Sequence, residues 1–523
     1  MVDEVVVPFV SSPPRDIGGT ALVVLDPGDS VGVARRPLAS GERVAEQGGR
    51  PAIVVAERVP PGHKVALIDI AAGDRVLKYA QLIGVAREPI AAGAHVHSHN
   101  LDFVRADAHR ASDPPPAVVV DATDVFQGYR RADGRIGTRN FVAVISSVNC
   151  SATVAHRIAD AFDANALADF PNVDGVAAFT HGTGCGMAGS GEGFENLQRV
   201  VAGYARHPNV AAVLLVGLGC EVSQIGGTLA DQGLGEVAQL RTMNIQTSGG
   251  TRATVERGRE HVMALLASAN EARRESCPAG ALSLALQCGG SDAWSGITAN
   301  PALGHAADLL IRQGGTAVLA ETPEIYGAEH LLTHRAASPA IADALLARID
   351  WWQAYVGANR GSLDNNPSPG NKLGGLTTIL EKSLGAVAKG GTTPLAGVYR
   401  YAQRIDASGF VFMDSPGYDP ASVTGQIAGG CTLVAFTTGR GSAFGSKPAP
   451  CLKIASNTAM ATTLADDMDI DAGTVISSGE PISAVGRRIY ERLLTVASGV
   501  ATLSEQHGLG DHEFVPWQIG AVM

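Results

Sequence analysis

The sequence predicts an α/β protein, in which a small β-rich module precedes two α/β domains with open, Rossmann-like parallel sheets. Roughly the first hundred residues hold short alternating apolar runs broken by glycine and proline, a pattern typical of strands and turns. Beyond residue 128, short apolar runs alternate with stretches of helical periodicity, which indicates repeated strand–helix units. The 63 glycines among 523 residues favour many tight turns between these elements.

Bulk composition excludes several classes of protein. Hydrophobic residues make up 45% of the chain and charged residues 17%, which is typical of globular and not of disordered proteins. A net charge of −11 argues against a nucleic-acid partner. No apolar run has membrane-spanning length, and Met1–Glu4 does not begin a signal peptide, so we expect no membrane partner and a cytoplasmic location. The odd number of cysteines, 7, argues against a disulfide framework.

We predict a β-rich domain over residues 1–105 and a linker over 106–127, because Ala111–Ala117 contains three consecutive prolines. The module ends in His95, His97 and His99, followed by Asn100. Alternate residues of a strand point to one face, so these imidazoles would lie together and could bind a metal ion or a substrate. A solvated polar edge strand is the alternative.

The second predicted domain, residues 128–275, contains three strand-to-loop units with a cysteine just after each strand. These cysteines are Cys150, Cys185 and Cys220. The carboxyl ends of parallel strands meet at one edge of a sheet, so we expect the three thiols on one rim. Three thiolates could hold iron, either as one ion or as a cluster with an open coordination site. Three buried small residues in turns are the alternative.

The third predicted domain, residues 276–523, begins with a strand that leads into the glycine-rich turn Leu286–Pro301. Asn300 is a suitable N-cap for the helix that follows, and Pro301 suits its first position. Such a turn can direct backbone N–H groups toward an anion, although an ordinary loop would have the same composition. Later strands also end in glycine, hydroxyls and a charge, and Arg440 or Lys453 could bind a carboxylate.

Several ordered motifs resemble the altronate/galactarate dehydratase family. The stretches that carry the resemblance are Gly128–Asn140, Gln287–Asp292 with Thr298–Pro301, Glu324–His330, Met413–Gly417 and Thr437–Gly441. The resemblance covers nearly the whole chain, and the N-terminal module is similar to the family's small SAF-type domain. It implies removal of water from a sugar acid, such as altronate or galactarate, to give a 2-keto-3-deoxy acid, with an iron or manganese requirement.

The same family includes a sulfolactate sulfo-lyase, so the resemblance does not determine the substrate. A lyase that expels sulfite from a sulfolactate-like acid, or a dehydratase of a related hydroxy acid, is the alternative. Two further hypotheses are a sugar-acid binding protein without catalysis and an assembly role for the N-terminal module. We expect a homo-oligomer, most simply a dimer.

Dehydration removes the weakly acidic C2 proton and expels the C3 hydroxyl, so the site needs a base and concentrated positive charge. We expect a divalent metal, Fe²⁺ or else Mn²⁺, held by His97 and His99, by the cysteine rim, or by both; an iron–sulfur cluster is the alternative. The candidate catalytic residues are His97, His99, His181 and Lys453, with His330 as a further possible base. The candidate substrate contacts are Asn100, Arg139, Ser291, Asp292, Thr298, Asn300 and Arg440.

Overall fold

The structure is a computed structural model that describes residues 20–46, 51–104, 118–236 and 239–522. The predicted proline segment Ala111–Ala117 lies outside these residues. The chain has the predicted α/β character, since two parallel sheets with flanking helices follow an antiparallel β-module. Among the described residues, no helix has both the length and the apolar character needed to cross a membrane.

The N-terminal module consists of short antiparallel strands. Their bounds are β1 Leu22–Val23, β2 Val31–Ala34, β3 Arg43–Val44, β4 Ile53–Val54, β5 Lys64–Ala66, β6 Arg75–Lys78, β7 Gln81–Ala86, β8 His95–Val96 and β9 Leu101–Asp102. They form a four-stranded sheet of order β1-β2-β5-β8, a three-stranded sheet β6-β7-β9 and the pair β3-β4. The predicted strands at residues 30–34 and 64–68 correspond to β2 and β5, so that part of the prediction is confirmed.

The predicted single histidine strand is wrong, because β8 ends at Val96 and the chain then turns. Asn100 makes this turn: its Oδ1 accepts from the His97 N–H at 3.0 Å, and its Nδ2 donates to the His95 carbonyl at 2.9 Å. A side-chain amide that replaces ladder hydrogen bonds in this way favours a turn over a strand. The predicted substrate contact Asn100 is therefore buried and holds the histidines in position.

The middle domain is a parallel sheet of order β13-β12-β14-β15 with an antiparallel ribbon β11-β10-β16 beside it. The strands are β10 Val125–Arg130, β11 Ile136–Gly137, β12 Phe141–Ser146, β13 Gly175–Phe179, β14 Val210–Gly217, β15 Leu240–Asn244 and β16 Arg274–Pro278. The helices are α1 Ala152–Ala159, α2 Glu192–Ala205, α3 Ile225–Asp231 and α4 Thr251–Ala269. Alternate residues of β12 enter two different apolar cores, so both faces of the sheet are covered.

The C-terminal domain is built on seven parallel strands of order β19-β20-β18-β17-β21-β22-β23. The strands are β17 Ser283–Cys288, β18 Thr316–Leu319, β19 Leu395–Tyr399, β20 Gly409–Met413, β21 Leu433–Thr438, β22 Cys451–Ala455 and β23 Ile470–Asp471. The helices are α5 Ala299–Arg312, α6 His330–Thr333, α7 Pro339–Ala358, α8 Pro369–Leu373, α9 Ile379–Val387, α10 Asp419–Gly429, α11 Thr458–Thr463, α12 Thr474–Ser477, α13 Ile482–Ala497 and α14 Leu503–Gln506. Short 3₁₀ turns span Asn149–Ser151, Leu234–Glu236, Ala279–Ala281, Thr322–Ile325, Leu363–Asn365 and Ala388–Gly390.

The prediction that Asn300 caps α5 is wrong, because the helix begins at Ala299 with Thr298 in the cap position. The Asn300 side chain makes tertiary contacts instead. Its Nδ2 donates to the Gly385 carbonyl at 2.9 Å, and its Oδ1 accepts from the Thr437 hydroxyl at 2.6 Å. These bonds tie α5 to α9 and β21, and they use both ends of the amide.

A buried ion cluster docks the N-terminal module on the C-terminal domain. Lys64 Nζ donates to Glu381 Oε2 at 2.8 Å and to the Gly375 carbonyl at 2.6 Å, while Lys78 Nζ donates to Glu381 Oε1 at 2.8 Å. None of the three charged side chains is more than 1% exposed. Burial lowers the pKa of Lys64 to about 8, and the attraction of Glu381 opposes that shift. One carboxylate therefore compensates two buried ammonium groups.

We predict that Glu381→Gln lowers the free energy of unfolding by about 3–5 kcal/mol, because it leaves two buried cations without an anion. Lys64→Met should cost clearly less, because it leaves the balanced pair Lys78–Glu381. Asp102→Asn removes an exposed partner of Arg87 and should change stability little. Urea unfolding of the three variants measures this order. Equal losses for Glu381→Gln and Lys64→Met would contradict the charge argument.

Candidate functional site

Polar side chains gather where the central strands of the seven-stranded sheet end. Cys288 is the last residue of β17, and Glu321 and Glu324 follow β18. The Sγ atom and one oxygen of each carboxylate all lie within 4.8 Å of one another. The three residues are only 2%, 1% and 4% exposed. Burial of two carboxyl groups at this distance requires compensating positive charge or protonation.

Two buried lysines supply positive charge at this cluster. Lys389 Nζ donates to Cys288 Sγ at 3.0 Å. Lys382 Nζ donates to Glu324 Oε1 at 2.6 Å and to Asn366 Oδ1 at 2.7 Å. The Glu324 carboxylate is thereby paired, and its pKa is lowered because the two lysines outweigh the opposing effect of burial.

Glu321 has no such partner. Its two carboxyl oxygens are buried, and neither has a hydrogen-bond partner in the part of the chain that the structure describes. Burial raises its pKa well above the usual value, and repulsion from Glu324 and Asp419 adds to the shift. Its φ of +70° places a non-glycine residue in the left-handed region, a strained conformation of the kind found at functional sites. The surroundings of Glu321 therefore favour its neutral, protonated form.

Asp292, one of the predicted substrate contacts, joins two of the strand-end turns. Its Oδ1 accepts from the hydroxyls of Ser295 at 2.9 Å and Ser456 at 2.8 Å, and its Oδ2 accepts from Asn457 Nδ2 at 3.1 Å. The predicted contact Thr298 reinforces the same junction by donating to the Ser456 carbonyl at 2.6 Å. Both residues thus hold the turn after β17 against the turn after β22.

Ser291, in the same turn, is also buried, and its hydroxyl has no partner among the described residues. It lines a small cavity of about 10 Å³ together with Cys288, Asp292 and Lys382. A cavity of this size has room for about one water molecule. Ser291, together with the predicted contacts Asp292 and Asn300, therefore lines a space beside the buried cluster.

A second cluster contains four histidines of the N-terminal module. His63 Nε2 lies 3.3 Å from the Leu373 carbonyl, and His97 Nε2 lies 3.0 Å from the Lys372 carbonyl. A carbonyl oxygen only accepts, so each Nε2 carries its proton. His63 Nδ1 lies 3.0 Å from His95 Nε2 and must then accept from it. The bonds to residues 372 and 373 therefore set the tautomers of three imidazoles.

This histidine cluster borders a cavity of about 530 Å³, large enough for a small metabolite. The cavity is lined by His63, His97, Asp364, Asn365, Pro367, Pro369, Lys372 and Leu373. Burial lowers the pKa of His97 to about 4, so its imidazole is neutral near pH 7. Next to this wall, Glu57, His95 and His99 each place one ligand atom within 4.8 Å of the others.

The structure places Cys150, Cys185 and Cys220 at the carboxyl edge of the middle sheet, as predicted, and all three are exposed. Their loops are neighbours, since the Asn149 N–H donates to the Thr183 carbonyl at 2.9 Å. Within the described ranges, however, the three sulfurs do not form a group with mutual distances under 4.8 Å. The placement therefore does not suit one shared ion, while the iron–sulfur alternative stays a prediction.

Two of the predicted bases are occupied by structural contacts. His181 Nε2 donates to the Ser146 carbonyl at 3.0 Å, and its Nδ1 accepts from the Thr183 N–H at 3.3 Å, so no lone pair is free. Lys453 is fully buried and forms an ion pair with Asp467 at 3.3 Å. Both side chains are therefore held by structural contacts.

The remaining candidates have different surroundings. Arg139 is buried, and its Nε and Nη2 donate to the two oxygens of Glu505 at 2.7 and 2.8 Å, so it connects the middle domain to α14. The ring of His330 contacts Gln81 Oε1 at 3.1 Å. Arg440 is exposed, and its backbone N–H donates to the Gly290 carbonyl at 2.9 Å. Arg440 therefore stays a candidate at the rim of the sheet edge.

The sequence-based prediction did not assign roles to several residues of the two clusters. They are Glu57, His63, Cys288, Glu321, Glu324, Lys382, Lys389 and Asp419. The strand-end rule that selected the cysteines of the middle domain also applies to the residues after β17 and β18. No comparable sequence signal marks the lysines, because they lie on or just after α9 and reach the strand ends from another layer.

We predict that Glu321→Met raises the free energy of unfolding by about 1–3 kcal/mol, because it removes two buried oxygens without partners. The same change should abolish turnover if the carboxyl group acts in catalysis. The variant would then be more stable than the wild type but inactive. Glu324→Gln is the matched control, and it should lower stability because it leaves Lys382 without its anion. Urea unfolding and a turnover assay measure both. A destabilised Glu321→Met variant would contradict the prediction.

Comparison with known proteins matches three family models along the chain. They are the altronate/galactarate dehydratase SAF domain over residues 20–103, the D-galactarate dehydratase/altronate hydrolase second domain over 128–270, and the D-galactarate/altronate dehydratase C-terminal domain over 279–522. These models match the β-module and both parallel-sheet domains.

Individual relatives agree with the family models. Altronate dehydratase of Escherichia coli K12 is 35% identical over 484 residues, which is 92% of this chain and 95% of the relative. Galactarate dehydratase (L-threo-forming) of the same organism is 35% identical over 467 residues, 87% of this chain and 89% of the relative. The (2R)-sulfolactate sulfo-lyase subunit beta of Chromohalobacter salexigens is 32% identical over 400 residues, 75% of this chain and 96% of the relative. The chain belongs to the D-galactarate/altronate dehydratase family.

Proposed function

We propose that this protein removes water from a sugar acid, such as altronate or galactarate, and forms the 2-keto-3-deoxy acid. The observation that carries the proposal is the cavity of about 530 Å³ beside an imidazole–carboxylate group, in a chain of this family. The cavity has room for a six-carbon acid, and its wall presents a neutral imidazole and polar groups. The dehydratase relatives support the reaction class.

The donor set of Glu57, His95 and His99 fits the divalent metal that the family implies. Two imidazoles and one carboxylate are the ligands that hold Fe²⁺ in many enzymes while leaving coordination positions open, and Mn²⁺ accepts related ligands. When bound, such an ion would polarise the substrate carboxylate and stabilise the negative charge that develops there. We therefore assign the metal to these residues, with His99 retained from the sequence-based prediction and His95 in place of His97.

In this proposal His97 takes the C2 proton. Its ring borders the cavity, and its Nε2 proton is held by the Lys372 carbonyl. The lone pair is therefore on Nδ1, whose neighbour is the hydroxyl of Ser98 at 3.0 Å. Ser98 is exposed, so a substrate can displace this bond at little cost. The His97 ring is neutral near pH 7 and can accept a proton, and its lowered pKa of about 4 makes it a weaker base than an exposed imidazole.

The proton for the leaving hydroxyl is assigned to Glu321. The segment 364–367 lies between the cavity and the buried cluster, because Asn366 contacts Glu324 and Lys382 while its neighbours line the cavity. A substrate hydroxyl, which can both donate and accept, can replace the Asn366 amide in these contacts. Expulsion of the C3 hydroxyl as water then uses the Glu321 proton and leaves an enol, which takes a proton at C3 and loses its hydroxyl proton to become the 2-keto acid. The low pKa of His97 releases the C2 proton to solvent, and Glu321 regains a proton from solvent before the next turnover.

We predict that the protein, purified anaerobically with Fe²⁺, converts altronate or galactarate to a product with the properties of a 2-keto-3-deoxy acid. A panel of sugar acids assayed for this product measures the activity and its specificity. A protein that binds these acids without turnover would contradict the proposal. Release of sulfite from sulfolactate, without action on sugar acids, would favour the sulfo-lyase alternative.

We predict that His99→Ala loses the bound metal and all turnover, because it removes one of three ligands. His97→Asn should keep the metal and lower kcat by about 10²–10⁴-fold, the usual contribution of a general base. Cys150→Ser should keep both. Metal content and turnover of the three variants separate these roles. A brown protein with bound sulfide that bleaches in Cys150→Ser would overturn the histidine assignment in favour of the iron–sulfur alternative.

A further inference from the structure

A second large cavity lies between the two α/β domains, far from both clusters. Its volume is about 320 Å³, and residues of both domains line it. Pro208, Ala281 and Thr432 line it just before the first residues of β14, β17 and β21. The buried cluster lies at the opposite ends of these strands, and a six-residue strand spans roughly 17–20 Å. The proposed reaction makes no use of this cavity.

Three arginines line this cavity. Arg135 comes from the turn between β10 and β11, Arg206 follows the last residue of α2, and Arg404 lies in the loop after β19. The pKa of Arg206 is lowered by burial and by repulsion from Arg404 and Arg135, so the three guanidinium groups are close enough to oppose one another. Three positive groups in one cavity create a positive potential, which favours the binding of an anion between them.

The hydrogen bonds of these arginines are incomplete. Arg135 forms an ion pair with Asp133 and donates to the Arg206 carbonyl. The Nη2 atom of Arg206 is buried and has no partner among the described residues. No hydrogen bond or ion pair of the described residues involves the Arg404 side chain. By contrast, the nearby Arg131 has three partners, the carbonyl oxygens of residues 208 and 139 and the side-chain oxygen of residue 140.

Charge around the cavity does not balance. Three arginines and Asp133 give a net charge of +2. The C-terminal ends of α2 and α10 also face the cavity, through Arg206 and Gly429, and each end contributes about −0.5. An excess of about one positive charge therefore remains after both helix ends are counted. A structural role at helix ends alone does not explain all three arginines.

We propose that this cavity binds a phosphate group, either as the free ion or carried by a small metabolite. Planar guanidinium groups bind phosphate oxygens in pairs, and a tetrahedral dianion offers oxygens to several arginines at once. The volume lies at the lower end of the range for small-molecule sites, which suits inorganic phosphate or a compact phosphate monoester. An occupant would contact both α/β domains and stabilise their interface.

The test compares phosphate binding by the intact protein and two variants. Arg404→Gln removes an exposed guanidinium from the cavity wall. Arg400→Gln is the matched control, because Arg400 is four residues earlier, pairs with Glu195 and does not line the cavity. Inorganic phosphate and glycerol 3-phosphate are titrated by calorimetry and by thermal unfolding, with sodium chloride at equal ionic strength as the reference.

We expect phosphate to raise the Tm of the wild-type protein, and the Arg404→Gln change to weaken binding about ten-fold or more. Arg400→Gln should bind like the wild type. Without phosphate, Arg404→Gln should raise the Tm, because it removes repulsion from Arg206. Binding of inorganic phosphate alone assigns the site to the free ion, and binding of both probes assigns it to the phosphate group of a metabolite.

Two results would overturn the inference. If the arginines serve only the helix ends, Arg404→Gln lowers the Tm and phosphate shifts it no more than chloride does. Equal binding by the wild type and Arg404→Gln would place the phosphate elsewhere. Neither result depends on catalytic activity, so the test is independent of the proposed reaction.

Discussion

The carboxylate of Glu381, held between Lys64 and Lys78, is the interaction on which the proposed site depends. These two lysines belong to the β-module, and Glu381 belongs to α9 of the C-terminal domain. Their bonds hold the module against the segment that contains Lys372 and Leu373, whose carbonyls set the histidine tautomers. The large cavity exists only while the two domains stay together. The main effect of the cluster is therefore to fix the β-module on the C-terminal domain, because buried ion pairs of this kind add little net stability.

The parallel sheet provides the second constraint. Strands that run in one direction deliver their carboxyl ends to one edge, so Cys288 and the two glutamates meet although 36 residues separate Cys288 from Glu324. The cluster is held at a cost in backbone strain and unpaired oxygens, both concentrated at Glu321. The lysines of the α9 region compensate the charge of Glu324, but neither of them bonds to Glu321. This difference raises the pKa of Glu321 and lowers that of Glu324, an arrangement that suits acid–base chemistry.

Sequence reasoning predicted the α/β class and the position of the three cysteines at one sheet edge, and it selected the histidine segment and the turn after β17 as candidate sites. It failed where side chains act over long separations. Lys64 and Glu381 are 317 positions apart, and no periodicity connects them. Arg139 was predicted to contact substrate because it is basic and lies in a loop, yet it pairs with Glu505, 366 positions away. Local sequence patterns predict where a strand ends. They do not predict which charged side chain of another layer will contact that end.

In the part of the chain that the structure describes, two groups of side chains have the geometry for a metal ion, and charge distinguishes them. At the group of Cys288, Glu321 and Glu324, ammonium groups already contact the sulfur and one carboxylate, so a divalent ion would have to displace two buried cations. At the group of Glu57, His95 and His99, no lysine or arginine nitrogen bonds to the three side chains within the described ranges. The second group also lies beside the large cavity. The histidine group therefore suits a metal ion, and the buried group suits proton transfer.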